Sequence, residues 1–198
     1  MLADYKSRLA QLEQVRVRME SLRTSEHILA RDIGLVYESL FLRAVTIYEE
    51  FCEEFFFKLL SGTIRYAKAK RIAPLIPSCN GIRDFVYQGD KYLEWIPHDR
   101  TKLRANLYLK GGRPFSSLDQ PEKDKISRIT KIRNAIAHKS KSAMETFRKD
   151  VICGTPLLTH EKSPAGFLRS ELSPGRKRFQ AYMEDLVALA EKLYGKPI

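Results

Sequence analysis

Residues 36–60 decide the fold, and they read VYESLFLRAVTIYEEFCEEFFFKLL. Large apolar side chains recur in this stretch every three or four positions, which aligns them on the faces of a helix. One apolar stripe consists of Val36, Leu40, Ala44, Ile47 and Phe51, and the other consists of Phe41, Val45, Tyr48, Cys52, Phe55, Phe56 and Leu59. Two stripes on one helix predict burial on more than one side, either inside a helical bundle or at a dimer interface.

The same periodicity predicts helices on both sides of this stretch. A first helix covers residues 3–24, and the quoted stretch belongs to a second helix over residues 26–69. Shorter helices are expected over residues 81–88 and 90–109, and a last helix over residues 176–194. The first and last helices carry the apolar stripes Leu12, Val15, Met19 and Leu22, and Phe179, Tyr182, Met183, Leu186, Leu189, Ala190 and Leu193. No run alternates apolar and polar residues as a strand would, so the sequence predicts an all-α protein.

Turn-forming residues separate the predicted helices. The chain is expected to break at Pro74, Pro77, Asn80 and Gly81, and again at Gly111, Gly112, Arg113 and Pro114. Pro97 must begin a segment or bend the helix over residues 90–109, because proline has no N–H to donate. Asp119 or Gln120 is expected to cap a further helix with Pro121 at its first position. Residues 153–175 contain three prolines and three glycines and are interpreted as an irregular connection.

The composition predicts one domain with a basic body. The chain has 198 residues, 43% of them hydrophobic, which is enough for a single core. Its formal net charge is +11, but residues 1–60 contain eight Lys or Arg against ten Asp or Glu, whereas residues 61–198 contain 27 against 14. This asymmetry favours a polyanionic partner such as nucleic acid, and the alternative is a set of ordinary solvated charges.

The cysteines and histidines do not form a metal-binding pattern. Cys52, Cys79 and Cys153 are odd in number and far apart, and the four histidines are scattered. The spacing predicts free, buried thiols in a reducing cytoplasm, with no metal site and no cofactor. No apolar run is long enough to span a bilayer, and the first four residues do not open a signal peptide. We therefore expect a cytoplasmic protein that does not enter a membrane.

Residues 131–139 read KIRNAIAHK and carry the candidate chemistry. The guanidinium of Arg133 is permanently charged and can donate two parallel hydrogen bonds to a phosphate. The imidazole of His138 can take or give a proton near neutral pH. Since RNA supplies its own nucleophile, the 2′-hydroxyl, a phosphate ligand beside a proton-transfer group suffices to cleave it. The alternative is an incidental pair, because an arginine and a histidine five residues apart form a common pattern.

A regular helix does not by itself bring these two side chains together. The buried face of the motif helix is expected to consist of Ile126, Ile129, Ile132 and Ile136. Asn134 and His138 lie one turn apart and point away from that face, whereas Arg133 lies about 140° around the helix from His138. A functional site therefore requires that the helix ends or bends near His138, or that a second copy of the chain completes it.

These residues resemble the HEPN family, named for higher eukaryotes and prokaryotes nucleotide-binding. The hallmark of that family is an arginine followed by a polar residue and, a few positions later, a histidine, and residues 133–138 match it. Further blocks resemble the RiboL-PSP-HEPN branch: residues 47–51, 104–107, 112–118 and 132–140, followed by Ala143 and Phe147. The resemblance covers about residues 30–150.

The resemblance implies a fold and an activity. The fold is an antiparallel helical bundle with two long N-terminal helices, which dimerises so that two motifs face a shared cleft. Active members are metal-independent endoribonucleases, often toxins or antiphage defence effectors. By this resemblance Arg133 binds the scissile phosphate and His138 acts as general base or acid. Asn134 orients the imidazole or a phosphate oxygen.

Supporting residues and partners complete the sequence interpretation. Glu49, on the second helix, is the candidate for positioning Arg133 or His138, and the alternative is a solvated charge within its acidic run. The candidate RNA-binding residues are Lys131, Lys139, Lys141 and Arg104, and the alternative for the lysines is that they are ordinary solvated side chains. The expected partners are RNA, a second copy of the chain, and an antitoxin or defence-system protein.

One position departs from the HEPN toxins that pair with nucleotidyltransferase antitoxins. Those toxins carry a tyrosine two residues after the histidine as the target of modification, and here that residue is Ser140. Control by tyrosine adenylylation is therefore not expected at this site. Because some HEPN domains are inactive, the alternative function is a non-catalytic helical module that binds RNA or a partner protein. The sequence does not identify the RNA.

Overall fold

The structure, a computed structural model, describes residues 1–64 and 79–195. Its helices are α1 (Leu2–Thr24), α2 (Ala30–Ser61), α3 (Cys79–Tyr87), α4 (His98–Tyr108), α5 (Gln120–His138), α6 (Lys141–Phe147), α7 (Pro164–Arg169) and α8 (Arg178–Tyr194). Short 3₁₀ turns lie at Lys110–Gly112, Phe115–Ser117 and Thr159–Lys162, and a π-helical turn at Arg148–Ile152 follows α6. The described residues are mostly helical, which confirms the all-α prediction, whereas the HEPN-type bundle and the dimer stay predictions. None of the described helices is both long and apolar enough to cross a membrane.

A small hairpin precedes α8, in a region predicted to be irregular. Strand β1 (Glu171–Ser173) pairs antiparallel with β2 (Arg176–Lys177). Gly175 turns the chain between them with a φ of 75°, a conformation that glycine adopts without steric cost. Residues 153–175 therefore contain a helix and a strand as well as loops, because short elements of this kind leave no periodic signal.

Contacts along the chain divide it into two compact units. The first comprises Met1–Leu2, Tyr48–Ser127 and Ala188–Ile198, and the second comprises Ala3–Ile47 and Arg128–Val187. Helices α2, α5 and α8 contribute residues to both units. The prediction of a single domain over residues 1–198 stays a prediction.

α2 confirms both predicted apolar stripes but is shorter than expected. Every stripe residue is buried except Val36, which is half-buried. The helix begins at Ala30 rather than at residue 26, since Glu26 has a left-handed backbone with a φ of 61°. It ends at Ser61, where Gly62 has a φ of 75°, a common way to end a helix. The predicted extension is therefore wrong for residues 62–64, and residues 65–69 lie outside the described part.

α1 has nearly the predicted range, but its core face differs from the predicted stripe. The buried residues of the helix are Tyr5, Leu9 and Arg16. Of the predicted stripe, Leu12, Val15 and Met19 are half-buried and Leu22 is 41% exposed. Arg16 can be buried because its guanidinium donates hydrogen bonds to Glu13 and Tyr37. A periodicity of apolar residues cannot reveal a core position that is filled by a paired arginine.

Two predicted helix boundaries differ from those in the structure. Asn80 and Gly81 lie in the first turn of α3, where the backbone N–H groups need no helical partner and these residues cost little. Pro97 is the N-cap of α4, so it begins a segment, which is one of the two roles predicted for it. Residues 90–97 were predicted to be helical and are not, because proline disfavours helical backbone in the residue before it. The predicted breaks at Pro74 and Pro77 lie outside the described residues.

The first unit has an aromatic core. Phe55 and Phe56 are fully buried, and the centroid of the Phe115 ring lies 5.8 Å and 6.0 Å from theirs. Trp95 packs on Phe56 with a centroid distance of 5.3 Å. The carboxylate of Glu53 binds the neighbouring segments, since it accepts hydrogen bonds from Arg83, Tyr87 and Trp95.

The second unit contains a buried polar network that joins α1, α2 and α7. Tyr37 donates a hydrogen bond to Glu20 at 2.7 Å and accepts one from Arg16 at 3.3 Å. Arg169 donates two hydrogen bonds to the Glu20 carboxylate, at 3.0 Å and 3.1 Å. Burial raises the pKa of Glu20, but the hydrogen bonds from Arg169 and Tyr37 outweigh it and hold the pKa below its ordinary value. The network fixes α2 firmly at Tyr37.

His98, at the start of α4, is a buried titratable group in the first unit. The residue is 6% exposed, and its Nε2 has no hydrogen-bond partner. Burial lowers the pKa of His98, Asp99 raises it in part, and Lys123 and Lys102 lower it further. The folded state therefore favours the neutral ring.

We expect acidification to destabilise the protein through His98. Its folded pKa lies below the unfolded value of about 6.5, so the unfolded state binds the proton first and stability falls as the pH drops below that value. The urea midpoint of the wild type should fall between about pH 7.5 and about pH 5.5, and His98→Gln should reduce this fall. His27→Gln, at an exposed histidine, is the control and should leave the fall unchanged. An equal fall in wild type and His98→Gln would contradict the assignment.

Candidate functional site

The site is carried by α5, and of the two predicted caps of this helix Asp119 is the one that forms. The helix begins at Gln120, so Pro121 is its second residue and not its first as predicted. The backbone N–H of Glu122 donates to the Asp119 side chain at 3.2 Å, and the backbone N–H of Asp119 donates to the Glu122 carboxylate at 2.8 Å. This reciprocal pair is a capping box, which satisfies two of the free N–H groups at the start of a helix. The predicted core face is also confirmed, since Ile126, Ile129, Ile132 and Ile136 are all buried.

The end of α5 forms a sharp corner directly after the motif. His138 is the last helical residue, and Lys139 has a left-handed backbone with a φ of 48°. Ser140 then caps α6, because its side-chain oxygen accepts a hydrogen bond from the N–H of Ala143 at 3.2 Å. Left-handed backbone is uncommon for a residue with a side chain, so a corner at lysine needs support from its surroundings.

Three of the predicted site residues lie close together just before this corner. Nη1 of Arg133 donates a hydrogen bond to Oδ1 of Asn134 at 3.1 Å and lies 3.5 Å from Nε2 of His138. Arg133 and Asn134 are half-buried and His138 is exposed. Of the arrangements that the sequence left open, the helix therefore ends at His138, and one chain suffices to bring Arg133 and His138 into contact.

The contact between Arg133 and His138 favours one tautomer of the neutral ring. A guanidinium can only donate hydrogen bonds, so a neutral ring that accepts from Arg133 does so at Nε2 and carries its proton on Nδ1. In that tautomer a permanent cation lies next to a nitrogen that can accept a hydrogen bond. The side chain of Asn134 accepts a hydrogen bond from the guanidinium of Arg133 and so orients the guanidinium. The predicted role of Asn134 toward the imidazole or a phosphate stays a prediction.

The surroundings of the motif are strongly basic, but part of the charge is paired. Residues 128–149 contain seven Lys or Arg and a single Asp or Glu. Lys131 forms an ion pair with Asp150 at 2.9 Å, and Lys139 forms one with Glu38 at 3.2 Å. Lys141 is exposed in the first turn of α6. RNA binding by these three lysines stays a prediction.

The other two candidate residues, Glu49 and Arg104, lie in the first unit. Glu49 is 8% exposed and accepts a hydrogen bond from the Tyr92 hydroxyl at 2.9 Å. Arg104 stacks over the Trp95 ring, 4.7 Å from its centroid, and donates to the carbonyl of Glu94. Both contacts are structural in kind. The roles of Glu49 toward the motif and of Arg104 toward RNA stay predictions.

Two features of the site escaped sequence reasoning. Glu38 lies on α2, about a hundred residues before Lys139, and nothing in the sequence connects the two. The left-handed backbone at Lys139 was also missed, because glycine or asparagine is the usual signal for such a corner. Ser140 was a detectable signal, since serine is a preferred helix cap.

The thiols differ in their surroundings. Cys52 is buried, and burial raises the pKa of its thiol to about 12, which makes it a poor nucleophile. Cys153 is exposed, so the expectation of buried thiols is wrong for this residue, while Cys79 has no described side chain. Within residues 1–64 and 79–195, no three His, Cys, Asp or Glu side chains converge to hold a metal ion.

Comparisons with known proteins do not identify a family for this chain. No family model matches the chain, and neither a curated protein nor a solved structure matches it.

We expect nuclear magnetic resonance to detect the tautomer that this geometry requires. The imidazole ¹⁵N shifts of His138 should indicate a proton on Nδ1 when the ring is neutral, because Arg133 occupies Nε2. Arg133→Met removes the donor and should shift the tautomer balance toward that of His160, an exposed histidine that serves as the internal control. A wild-type ring protonated on Nε2 would contradict the contact.

Proposed function

We propose that the chain is a metal-independent endoribonuclease. The observation that carries this proposal is the distance of 3.5 Å between Nη1 of Arg133 and Nε2 of His138. It places a group that can bind a phosphate next to a group that can accept a proton. The HEPN resemblance supports the same activity on independent grounds, since the motif residues are those that the family uses. The excess of cations around the motif provides attraction for a polyanion.

The reaction is an internal displacement at phosphorus. Arg133 exchanges its contact with Nε2 of His138 for the phosphate, which frees the lone pair of Nε2. This nitrogen takes the proton of the 2′-hydroxyl, the 2′-oxygen forms a bond to phosphorus, and the bond from phosphorus to the 5′-oxygen breaks. Arg133 stabilises the negative charge that grows on the phosphoryl oxygens. The leaving 5′-oxygen takes up a proton, which the motif of a second copy supplies in the composite cleft of a dimer. The products are a 2′,3′-cyclic phosphate and a 5′-hydroxyl.

The biological setting follows from the resemblance alone. The protein acts as a toxin or an antiphage defence effector in the cytoplasm, and an antitoxin or defence-system protein restrains it. Ser140 excludes the tyrosine-adenylylation mechanism from this control.

One observation favours a second function, a non-catalytic module that binds RNA. The Arg133–His138 contact is long for a hydrogen bond, whereas the cluster of cations around it needs no proton transfer to bind a polyanion. The two functions differ in their dependence on His138.

We expect His138→Ala to abolish RNA cleavage while it leaves RNA binding intact. A proton-transfer group contributes about 10²- to 10⁴-fold to such a reaction, so the rate should fall by at least about 100-fold. The assay uses total tRNA and a structured RNA in excess EDTA, and the product ends are identified. His160→Ala removes an exposed histidine elsewhere and should cleave like the wild type.

Three outcomes would count against the enzyme. Equal cleavage by wild type and His138→Ala would exclude His138 as the proton-transfer group. Cleavage that EDTA suppresses would exclude a metal-independent reaction, and products with a 3′-hydroxyl would exclude attack by the 2′-hydroxyl. Binding of RNA without cleavage by either protein would favour the non-catalytic module.

We also expect Lys141→Gln to weaken RNA binding regardless of sequence. If the ammonium of Lys141 contacts a phosphate, its removal should reduce the slope of log affinity against log salt by about one unit. The measurement is a salt titration of affinity with an uncleavable 2′-O-methyl RNA. Lys162→Gln, at an exposed lysine remote in sequence, is the matched control, and an unchanged slope for Lys141→Gln would contradict the phosphate contact.

A further inference from the structure

We infer that the ion pair between Glu38 and Lys139 positions His138 for catalysis, which makes Glu38 and Lys139 positioning residues. The inference rests on the proposed function. It differs from the sequence interpretation, in which Lys139 contacts RNA and Glu49 positions the motif.

The geometry ties the end of α5 to α2. Nζ of Lys139 lies 3.2 Å from Oε2 of Glu38, and the two side chains are 63% and 17% exposed. Lys139 directly follows His138, so the ion pair restrains the last turn of α5, to which His138 belongs. Since the Glu38 carboxylate is mostly shielded from water, its attraction to the ammonium is weakened less by solvent than that of a fully exposed pair.

Glu38 is a firm point of attachment. Its neighbour Tyr37 is fully buried and belongs to the hydrogen-bonded network of Arg16, Glu20 and Arg169. The segment of α2 that carries Glu38 is thereby fixed to two other helices. The ion pair from Glu38 to Lys139 therefore restrains the position of the α5–α6 corner.

The corner needs such an attachment because of its backbone. Lys139 has a φ of 48°, which is unfavourable for a residue with a Cβ, and without support the chain relaxes toward ordinary helical or extended angles. With the corner relaxed, the last turn of α5 is free to unwind, and His138 then moves away from Nη1 of Arg133. The ion pair opposes this relaxation, and Ser140 restricts it further by starting α6 at once.

The ion pair also bears on RNA binding. An ammonium held by a carboxylate carries little net charge toward a phosphate, so Lys139 contributes less to RNA affinity than a lysine without such a partner. A positioning role and a phosphate-binding role therefore predict different results when Glu38 is changed.

The experiment is a double-mutant cycle on RNA cleavage with affinity measured separately. The variants are Glu38→Gln, Lys139→Gln, the double variant, and the charge swap that combines Glu38→Lys with Lys139→Glu. Lys139→Gly is added because glycine suits the left-handed backbone but carries no ammonium. Lys177→Gln breaks the Lys177–Glu171 pair on the hairpin, and it is the matched control for loss of a lysine ion pair.

We expect each single variant, including Lys139→Gly, to lower kcat by about ten- to 100-fold, because a small displacement of the ring is costly. Lys139→Gln and Lys139→Gly should leave the affinity for uncleavable RNA unchanged, since the paired ammonium contributes little to it. The double variant should be no worse than either single variant, since both remove one interaction. The charge swap should restore most of the activity, and Lys177→Gln should match the wild type.

Two results would overturn the inference. If Lys139→Gln weakens RNA binding and lowers its salt dependence while Glu38→Gln tightens binding, Lys139 is a phosphate ligand that Glu38 competes for. If Lys139→Gly retains full activity, the backbone conformation alone positions His138 and the ion pair does not.

A readout without RNA separates this inference from the proposed function. The imidazole ¹⁵N shifts of His138 should change in Glu38→Gln and Lys139→Gln, as in Arg133→Met, and stay constant in Lys177→Gln. If the wild type does not cleave RNA but the shifts change as expected, the ribonuclease fails and the positioning holds. If the wild type cleaves and neither the rate nor the shifts respond, the positioning alone fails.

Discussion

The end of α5 at His138 is the constraint on which the site depends. In a regular helix Arg133 and His138 lie about 140° apart, so their contact at 3.5 Å depends on how the last turn of α5 is held. The left-handed backbone of Lys139 stops the helix at that residue, and Ser140 starts α6 immediately. His138 is thus the last residue of the helix, and its ring lies against Arg133. Of the two arrangements that the sequence leaves open, the structure has the helix end, and this contact forms within one chain.

The charge near the motif is organised by specific partners. Lys131 is paired with Asp150 and Lys139 with Glu38, so the local excess of cations overstates the charge that a polyanion meets. Paired lysines hold the corner and the π-helical turn in place, whereas an exposed lysine such as Lys141 remains for direct attraction. The basic cluster therefore contains both lysines held in ion pairs and an exposed lysine, and the proposed RNA binding rests on the exposed one. This division explains how a motif rich in cations can keep a defined geometry in the absence of RNA.

The helices were predictable where the pattern is dominated by apolar residues. The stripes of α2 and α8 and the isoleucine face of α5 are buried as expected, because burial of apolar surface is the main force that orients these helices. α1 shows the limit of that reasoning, since its core includes Arg16, which is buried with its hydrogen bonds satisfied by Glu13 and Tyr37. Helix ends were predicted less well, because a single left-handed residue decides them.

The sequence by itself determined the helical class, the core face and cap of α5, and the choice of Arg133, Asn134 and His138 as candidates. These features follow from local spacing and from the chemistry of single side chains. The tertiary structure decided that the three side chains meet, that Lys139 is held by Glu38, and that Glu49 accepts a hydrogen bond from Tyr92. Such contacts join residues that are far apart in the sequence or on different sides of a regular helix. Only the folded backbone, with its corner at Lys139, sets the distances between them.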